Sequence, residues 1–449
     1  MLKKINLNKL TPAQLIVIYY FLAVTVSTFL IRLPVALKPG VELSIIDAFF
    51  TAASAVSVTG LTVINISETF SVTGNFILMF VLQFGGIGIM ALGTFMWLLF
   101  KKKIGLKERR LIMTDQNQTS LSGLVSLLKQ VLILIVIIEL IGALVLGMYL
   151  MNYFSNPAEA FFHGLFMSVS ATTNGGFDIT GQSLQPYAGD YFIQFINIVL
   201  IILGAIGFPV LIEVKNFLFH KNNELKFRFS LFAKLTSVTF FALVIFGAIM
   251  LLVLESKHFF AGKSWHESFF YALFQSVSTR SGGLSTMDVS QFAEPTLLLM
   301  SALMFIGASP SSVGGGIRTT TFAINILFLF HYARGKRTIN VFNRQVHEED
   351  VAKANIVMLM AVLICTSSVF LLSISESFTL MEIIFEVCSA FGTTGLSMGI
   401  TPDLSTFGKL LIIILMFIGR VGILSFIILI SRKGNQENYR FPKERVIIG

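Results

Sequence analysis

The sequence predicts an all-α polytopic membrane protein, built as four helix–half-helix–helix repeats around a pseudo-fourfold axis. Three observations predict it. Of 449 residues, 55% are apolar and only 13% charged, with a mean hydropathy of +0.81, whereas a soluble domain is about 45–50% apolar and about 25% charged. Long apolar stretches flank shorter ones at a regular interval. Basic residues gather on one side of the topology these stretches define. The first observation excludes an ordinary soluble enzyme, which would need a charged surface around two or three cores. It also excludes a disordered chain. Two cysteines, Cys365 and Cys388, are too few to staple a secreted scaffold of this length.

A membrane-spanning helix needs about 20 apolar residues. Eight stretches reach that length: 13–33, 72–100, 125–151, 191–217, 231–254, 296–332, 352–374 and 407–430. Between the members of each successive pair lies a shorter stretch: 44–57, 158–172, 265–278 and 378–391. At ~1.5 Å per residue, stretches of 14 or 15 residues reach only about 20 Å, the length of a re-entrant half-helix rather than a span.

Charge fixes the orientation. Of the 33 basic residues, 25 fall in segments 3–9, 101–129, 215–234, 334–353 and 432–445, all on one side of this topology. The other side holds Arg32, Lys38, Lys257, Lys263 and Lys409. The positive-inside rule then puts both termini in the cytoplasm. The excess of nine positive charges is thereby a topology signal: the basic residues fall in short runs between long apolar stretches, whereas a nucleic-acid binder clusters them with aromatics on one folded face. Lys3, Lys4 and Lys9 precede an apolar run too long for a signal peptide, with no small-residue cleavage site after it.

The repeats show in the letters. Each half-helix runs into a similar loop: SAVSVTGL (54–61), SATTNGGF (170–177), STRSGGL (278–284) and SAFGTTGL (389–396). Gly60, Gly176, Gly283 and Gly395 lie 116, 107 and 112 residues apart. Non-helical backbone at membrane depth is tolerated only where protein buries it or water lines it. Four such loops on one axis would direct backbone carbonyls at a point, and carbonyl rings replace the hydration shell of a cation. Half-helices pointing inward by their C-terminal, partially negative ends favour the same sign of charge. The alternative is that these glycines merely allow close helix packing. Packing is the reading for the Gly-x-x-Gly pairs of the following helices, Gly85–Gly88, Gly204–Gly207 and Gly419–Gly422.

With SVTGL, TNGGF, RSGGL and TTGL as loops, the chain resembles the Trk/Ktr/HKT superfamily of potassium transporters over essentially its whole length. Its compact size is most similar to the membrane subunit of a bacterial Ktr system. The resemblance implies a selectivity filter contributed by Val58, Thr59, Gly60, Asn174, Gly175, Gly176, Ser281, Gly282, Gly283, Thr393, Thr394 and Gly395. Potassium is then the substrate, with sodium a candidate co-ion and no covalently bound cofactor. Members with serine at the first filter glycine tend to carry sodium, so Gly60 favours potassium. The resemblance further implies a homodimer in the cell membrane, resting on a cytosolic ring of nucleotide-binding (RCK/KTN-type) subunits. The basic loops and the tail are the expected docking surfaces. One departure is that the third loop is a residue shorter between its shared Ser and Gly. The expected organisation is repeat one at 1–100, repeat two at 101–222, repeat three at 223–337, repeat four at 338–433 and a tail at 434–449.

Two further features are legible in the residues. The sixth stretch is interrupted by Gly307, Ala308, Ser309, Pro310, Ser311, Ser312, Val313, Gly314, Gly315 and Gly316. Proline and three consecutive glycines break a helix, and broken helices mark transport pathways. A plain kink or a cytoplasmic loop is the alternative. In the resembled family this stretch gates the pore beneath the filter. Arg420 stands inside the last apolar stretch, where a charge by default suggests function. It would repel the ion, hold the loop by hydrogen bonds to its carbonyls, or pair with Glu139 or Glu213. Arg280 is expected to pair with Glu386. His163 reads as a packing residue, and no nucleotide-binding or hydrolase fingerprint is present. The chain thus reads as a potassium uptake pore and no enzyme. A cation- or proton-coupled carrier of another small solute and an intramembrane enzyme are the competing classes.

Overall fold

The computed structural model describes residues 11–88, 124–219 and 227–430, with 442 and 444. The predicted segments 3–9 and 89–100, most of the 101–129 loop and nearly all of the tail lie outside them. Among the described residues the chain is helical, save one hairpin of Asn340–Val341 against Arg344–Gln345. That hairpin lies where a plain loop is expected. Its turn residues Phe342 and Asn343 both take positive φ, 50° and 60°, which matches strand twist in a two-residue connection.

Among the described residues, four uninterrupted helices are long and apolar enough to cross a membrane: Gln14–Ile31, Val125–Leu150, Leu231–Leu254 and Glu348–Ser375. Each is the first long helix of an expected repeat. Their outer faces carry exposed Phe21, Phe29, Leu140, Ile245, Leu359 and Phe370. So much exposed apolar surface is a liability in water and a fit to hydrocarbon.

The four short helices form where expected, as Ile45–Ser57, Pro157–Thr172, Trp265–Ser278 and Leu380–Gly392. A shared start signal fixes their outer ends. Ser44, Asn156, Ser264 and Thr379 each cap the first turn with a side-chain oxygen, and each helix carries an acid there: Asp47, Glu159, Glu267 and Glu382. Cap and acid satisfy the orphan N–H groups and complement the positive helix end. The inner turns are buried throughout.

The second long helix breaks in the third unit at 307–316, as expected, but it also breaks in the second and fourth units, against expectation, and in the first it ends at Gly88. Val72–Ile87 ends at Gly88, Tyr191–Ala205 bends by 104° into Phe208–Leu218, Glu294–Ile306 gives way to a loop before Thr319–Ala333, and Thr406–Val421 stops at Gly422 before Ile423–Ile430. The predicted continuous spans 191–217 and 407–430 are therefore each two helices. The cause is local. Gly88, Gly207 and Gly422 take φ of 94°, 101° and 89°, values that leave the helical region and that glycine reaches without steric cost. The first glycine of each pair does the packing instead. A methyl on Gly85, Gly204 or Gly419 would meet the carbonyls of Val56, Thr172 or Phe391 at 2.5, 2.2 and 2.0 Å. In the first, second and fourth units the second helix thus presses on the inner end of its own short helix. The last unit closes onto the first, with Lys409 Nζ 2.8 Å from Asp47 Oδ1.

Candidate functional site: four loops meeting at one ring

The inner ends of the short helices bring the four loops together. A methyl on Gly60 would lie 2.8 Å from the Gly175 carbonyl oxygen and 2.9 Å from Gly176 Cα. One on Gly176 would lie 3.0 Å from Gly283 Cα, one on Gly283 2.4 Å from the Thr394 carbonyl oxygen, and one on Gly395 2.1 Å from that of Thr59. The four glycines therefore form a closed ring in sequence order, and each must be glycine for its neighbour to approach. Their φ values are 93°, 66°, 70° and 93°.

A second set of residues shares the same geometry without being glycine. Val58, Asn174, Ser281 and Thr393, each two positions before its ring glycine, take φ of 54°, 52°, 70° and 45°. For branched Val and Thr this is a strained conformation, costing on the order of 1–3 kcal/mol each. Positive φ at these positions and at the glycines, with the residue between them outside that region, is a backbone pattern common to all four loops.

Most of the loop N–H groups are taken up by the short helices. Thr59, Gly175 and Thr394 donate to the carbonyls of Ser54, Ser170 and Ser389 at 2.9, 2.7 and 2.8 Å, and Gly282 donates to Ser278 at 2.7 Å. The third loop absorbs its missing residue here, closing over four positions instead of five. The shared serines add a second tie. Ser54 and Ser389 accept from the N–H of Gly60 and Gly395 at 3.1 and 3.0 Å. Ser170 and Ser278 donate instead to the carbonyls of Phe177 and Leu284. By contrast, among the described residues none of the twelve carbonyls at 58–60, 174–176, 281–283 and 393–395 accepts a hydrogen bond. Buried carbonyls normally find a partner. Chemically, twelve such oxygens around one ring can take the place of water oxygens around a cation.

The loop at 307–316 lies directly beneath, buried except for half-buried Pro310, so it is neither a plain kink nor an exposed connection. Methyls on Gly314 and Gly315 would strike Ser281 Oγ at 2.5 Å and Thr393 Oγ1 at 2.7 Å. The loop is stitched into the helix break of the second unit, with Ser309 N donating to Ala205 O at 3.0 Å and Phe208 N to Ser311 O at 2.9 Å. Within it, Ala308 N donates to Gly315 O at 3.1 Å and Ser312 Oγ to Ser309 O at 2.6 Å. Arg318 donates to the Gly314 carbonyl. Arg420 donates to the carbonyls of Val313 and Gly85, and to that of Gly86 at 3.2 Å. Its guanidinium ties the loop to the first unit. Pairing with Glu139 or Glu213 is not seen: Glu139 accepts from Gln83, and Glu213 from the N–H and hydroxyl of Ser230 at 2.9 and 2.6 Å.

The expected Arg280–Glu386 pair does not form. Fully buried Arg280 donates to the Leu303 carbonyl, with Nε and the other terminal nitrogen unpartnered. Glu386 accepts from the hydroxyls of Ser397, at 2.8 Å, and Thr401. His163 stacks on Phe154, ring centroids 4.5 Å apart. Cys365 and Cys388 are free thiols.

A family model described as TrkH, cation transport protein, matches residues 6–440. The chain is 60% identical over 443 residues to Ktr system potassium uptake protein D of Bacillus subtilis, covering 99% of this chain and 98% of that one. It is 36% identical to Ktr system potassium uptake protein B of the same organism, over 100% of this chain and 99% of the relative. It is 32% identical to potassium/sodium uptake protein NtpJ of Enterococcus hirae, with 100% and 99% covered. The crystal structure of the potassium transporter TrkH from Vibrio parahaemolyticus superposes with a TM-score of 0.73 at 20% identity, over 96% of this chain and 87% of that one.

Proposed function

The chain belongs to the TrkH family of cation transport proteins, and on that premise we propose that it is the membrane subunit of a potassium uptake system, a multi-pass pore of four repeats. The observation that carries this reading is the ring of twelve unpartnered carbonyls at the inner ends of four half-helices. An ion entering it exchanges water oxygens for carbonyl oxygens, and the negative ends of the short helices lower its energy there. Potassium is the ion on three supports: the names of the relatives, the glycine at position 60 and the absence of any side-chain carboxylate among the twelve ring residues. The 307–316 loop and Arg420 form the gate. The strongly basic segments face the cytoplasm and, as the Ktr name of the relatives suggests, meet a nucleotide-binding regulatory subunit. Homodimerisation follows from the same family reading.

The test is rubidium uptake into vesicles reconstituted with the purified chain. Uptake that excess potassium abolishes and excess sodium leaves intact is expected. Equal competition by both ions refutes the potassium reading, and no uptake with or without the regulatory subunit refutes the pore.

A further inference from the structure

Behind the ring, two fully buried polar side chains make contacts that the filter reading leaves unassigned. The position three residues before each shared serine is Thr51, Met167, Gln275 and Glu386 in the four short helices, and the position two residues after each ring glycine is Thr62, Asp178, Ser285 and Ser397. In the third and fourth units these two positions are bonded. Gln275 Nε2 donates to Ser285 Oγ at 2.7 Å, and Ser397 Oγ donates to Glu386 Oε2 at 2.8 Å. Thr401 also donates to Glu386, while Gly399 N donates to Ser397 Oγ at 3.0 Å. Each bond joins the short helix before the loop to the limb leaving it, so the ring residues between are held from both ends. In the first two units the equivalents do something else. The Thr51 hydroxyl has no partner, Met167 accepts from Asn197, and Asp178 serves a local turn through Thr180 and Gly181.

We propose that Gln275 and Glu386 are positioning residues that clasp the third and fourth loops at their outer limbs and so set the ion preference of the ring. The proposal rests on the filter reading above. Carbonyls discriminate between two cations of equal charge only as far as their positions resist relaxation around the smaller one. Two hydrogen-bonded clasps, buried in the third unit and half-buried in the fourth, supply that resistance on one half of the ring. The other half has only its shared-serine ties, Ser54 to Gly60 N and Ser170 to the Phe177 carbonyl. Hydrogen bonding suffices for the role, because an amide fills it in the third unit and a carboxylate in the fourth.

The experiment is rubidium uptake in vesicles with sodium or potassium as competitor, for Glu386→Met, Glu386→Gln and Gly60→Ser beside the parent. Methionine is the residue of the second unit, so it fits a short helix. Glu386→Met is expected to lower potassium-over-sodium preference about threefold to thirtyfold while uptake persists, and Glu386→Gln to restore most of it. A purely structural role moves the amount of folded protein and leaves the ratio unchanged. If Gly60→Ser shifts the ratio and Glu386→Met does not, the clasp is overturned and the filter stands. If neither shifts it, the filter reading falls and the clasp with it. Equal loss in Glu386→Met and Glu386→Gln also overturns the proposal, since charge would then be the agent. Should Glu386→Met not fold, Ser397→Ala and Gln275→Met are expected to lower the ratio in the same way, and an unchanged ratio in both overturns the clasp.

Discussion

Arg420 gives the most informative perturbation, because its contacts separate two ways of controlling flux. It donates to the Val313 carbonyl on the loop and to Gly85 and Gly86 on the first unit. A hydrogen bond to a charged group contributes about 1.5–3 kcal/mol. Replacing Arg420 by Gln removes at least the loop bond, so the equilibrium between seated and displaced loop shifts about 10- to 150-fold toward displaced. Arg420→Gln is therefore expected to raise rubidium uptake substantially, up to the limit set by the filter. Removing a positive charge beneath the ring also favours the cation directly, so a rise alone is ambiguous. Two companions resolve it. Arg420→Lys keeps the charge but not the fork that reaches several carbonyls, and it is expected to raise uptake nearly as much. Deleting residues 308–315 is expected to raise uptake by itself, and in that background Arg420→Gln should add little, since the two act through one contact. Uptake at or below the parent level in Arg420→Gln, with comparable folded protein, refutes the latch. So does an equal rise with and without the loop.

Three other perturbations have stated outcomes. Gly60→Ser places a side chain at φ 93° and within 2.8 Å of the Gly175 carbonyl, so it is expected to relax potassium-over-sodium preference in competition uptake. An unchanged ratio counts against the ring as filter. Gly395→Ala drives a methyl to 2.1 Å from the Thr59 carbonyl and should abolish uptake, whereas Gly399→Ala, at φ 96° but facing open space, should retain it. Equal effects of the two would mean that backbone strain and not ring closure is at stake. Asp190 caps Tyr191–Ala205 outside the membrane-depth helices. Burial pushes its carboxyl up, but the hydroxyl of Tyr153 and the N–H groups of Ile193 and Phe192 outweigh this and hold it below the usual range. A depressed native value contributes stability above the unfolded value of about 4, lost as pH falls below it. The melting temperature in detergent should therefore fall as the pH is lowered below about 4 in the parent and much less in Asp190→Asn.

Much of this architecture is legible in the letters. The short helices lie within two residues of expectation, because Ser44, Asn156, Ser264 and Thr379 end the apolar pattern as caps. The acids three residues after each cap are a repeat signal of their own, one that apolar patterning alone does not register. Spacing suffices to find the four loop glycines. What escapes is backbone conformation imposed by ring closure. Nothing in Val58 or Thr393 announces a positive φ, since those side chains disfavour it and only tertiary contacts hold it. Gly207 and Gly422 look like packing residues because a small side chain serves packing and chain-breaking alike. Arg280 and Glu386 look like a pair because charge complementarity ignores direction. Glu386 in fact finds its hydroxyls at Ser397 and Thr401, beyond the loop.

The seam between the first and last units joins Asp47 to Lys409, Thr59 to Gly395, and Gly85 to Arg420. The last of these spans 335 residues of chain. Closing so long a loop instead of one of about 110 residues costs only about 1 kcal/mol more, so the penalty is one of time. At about 5–20 residues per second, a ribosome needs roughly 17–70 seconds to deliver Arg420 after Gly85. For that interval the first loop sits in the bilayer with its carbonyl row facing an unfinished wall, and translocon or water must shelter it. A chain cut short before Gly395 lacks both the fourth ring glycine and its contact with the Thr59 carbonyl, so what is lost is the closed ring and not one fourth of it.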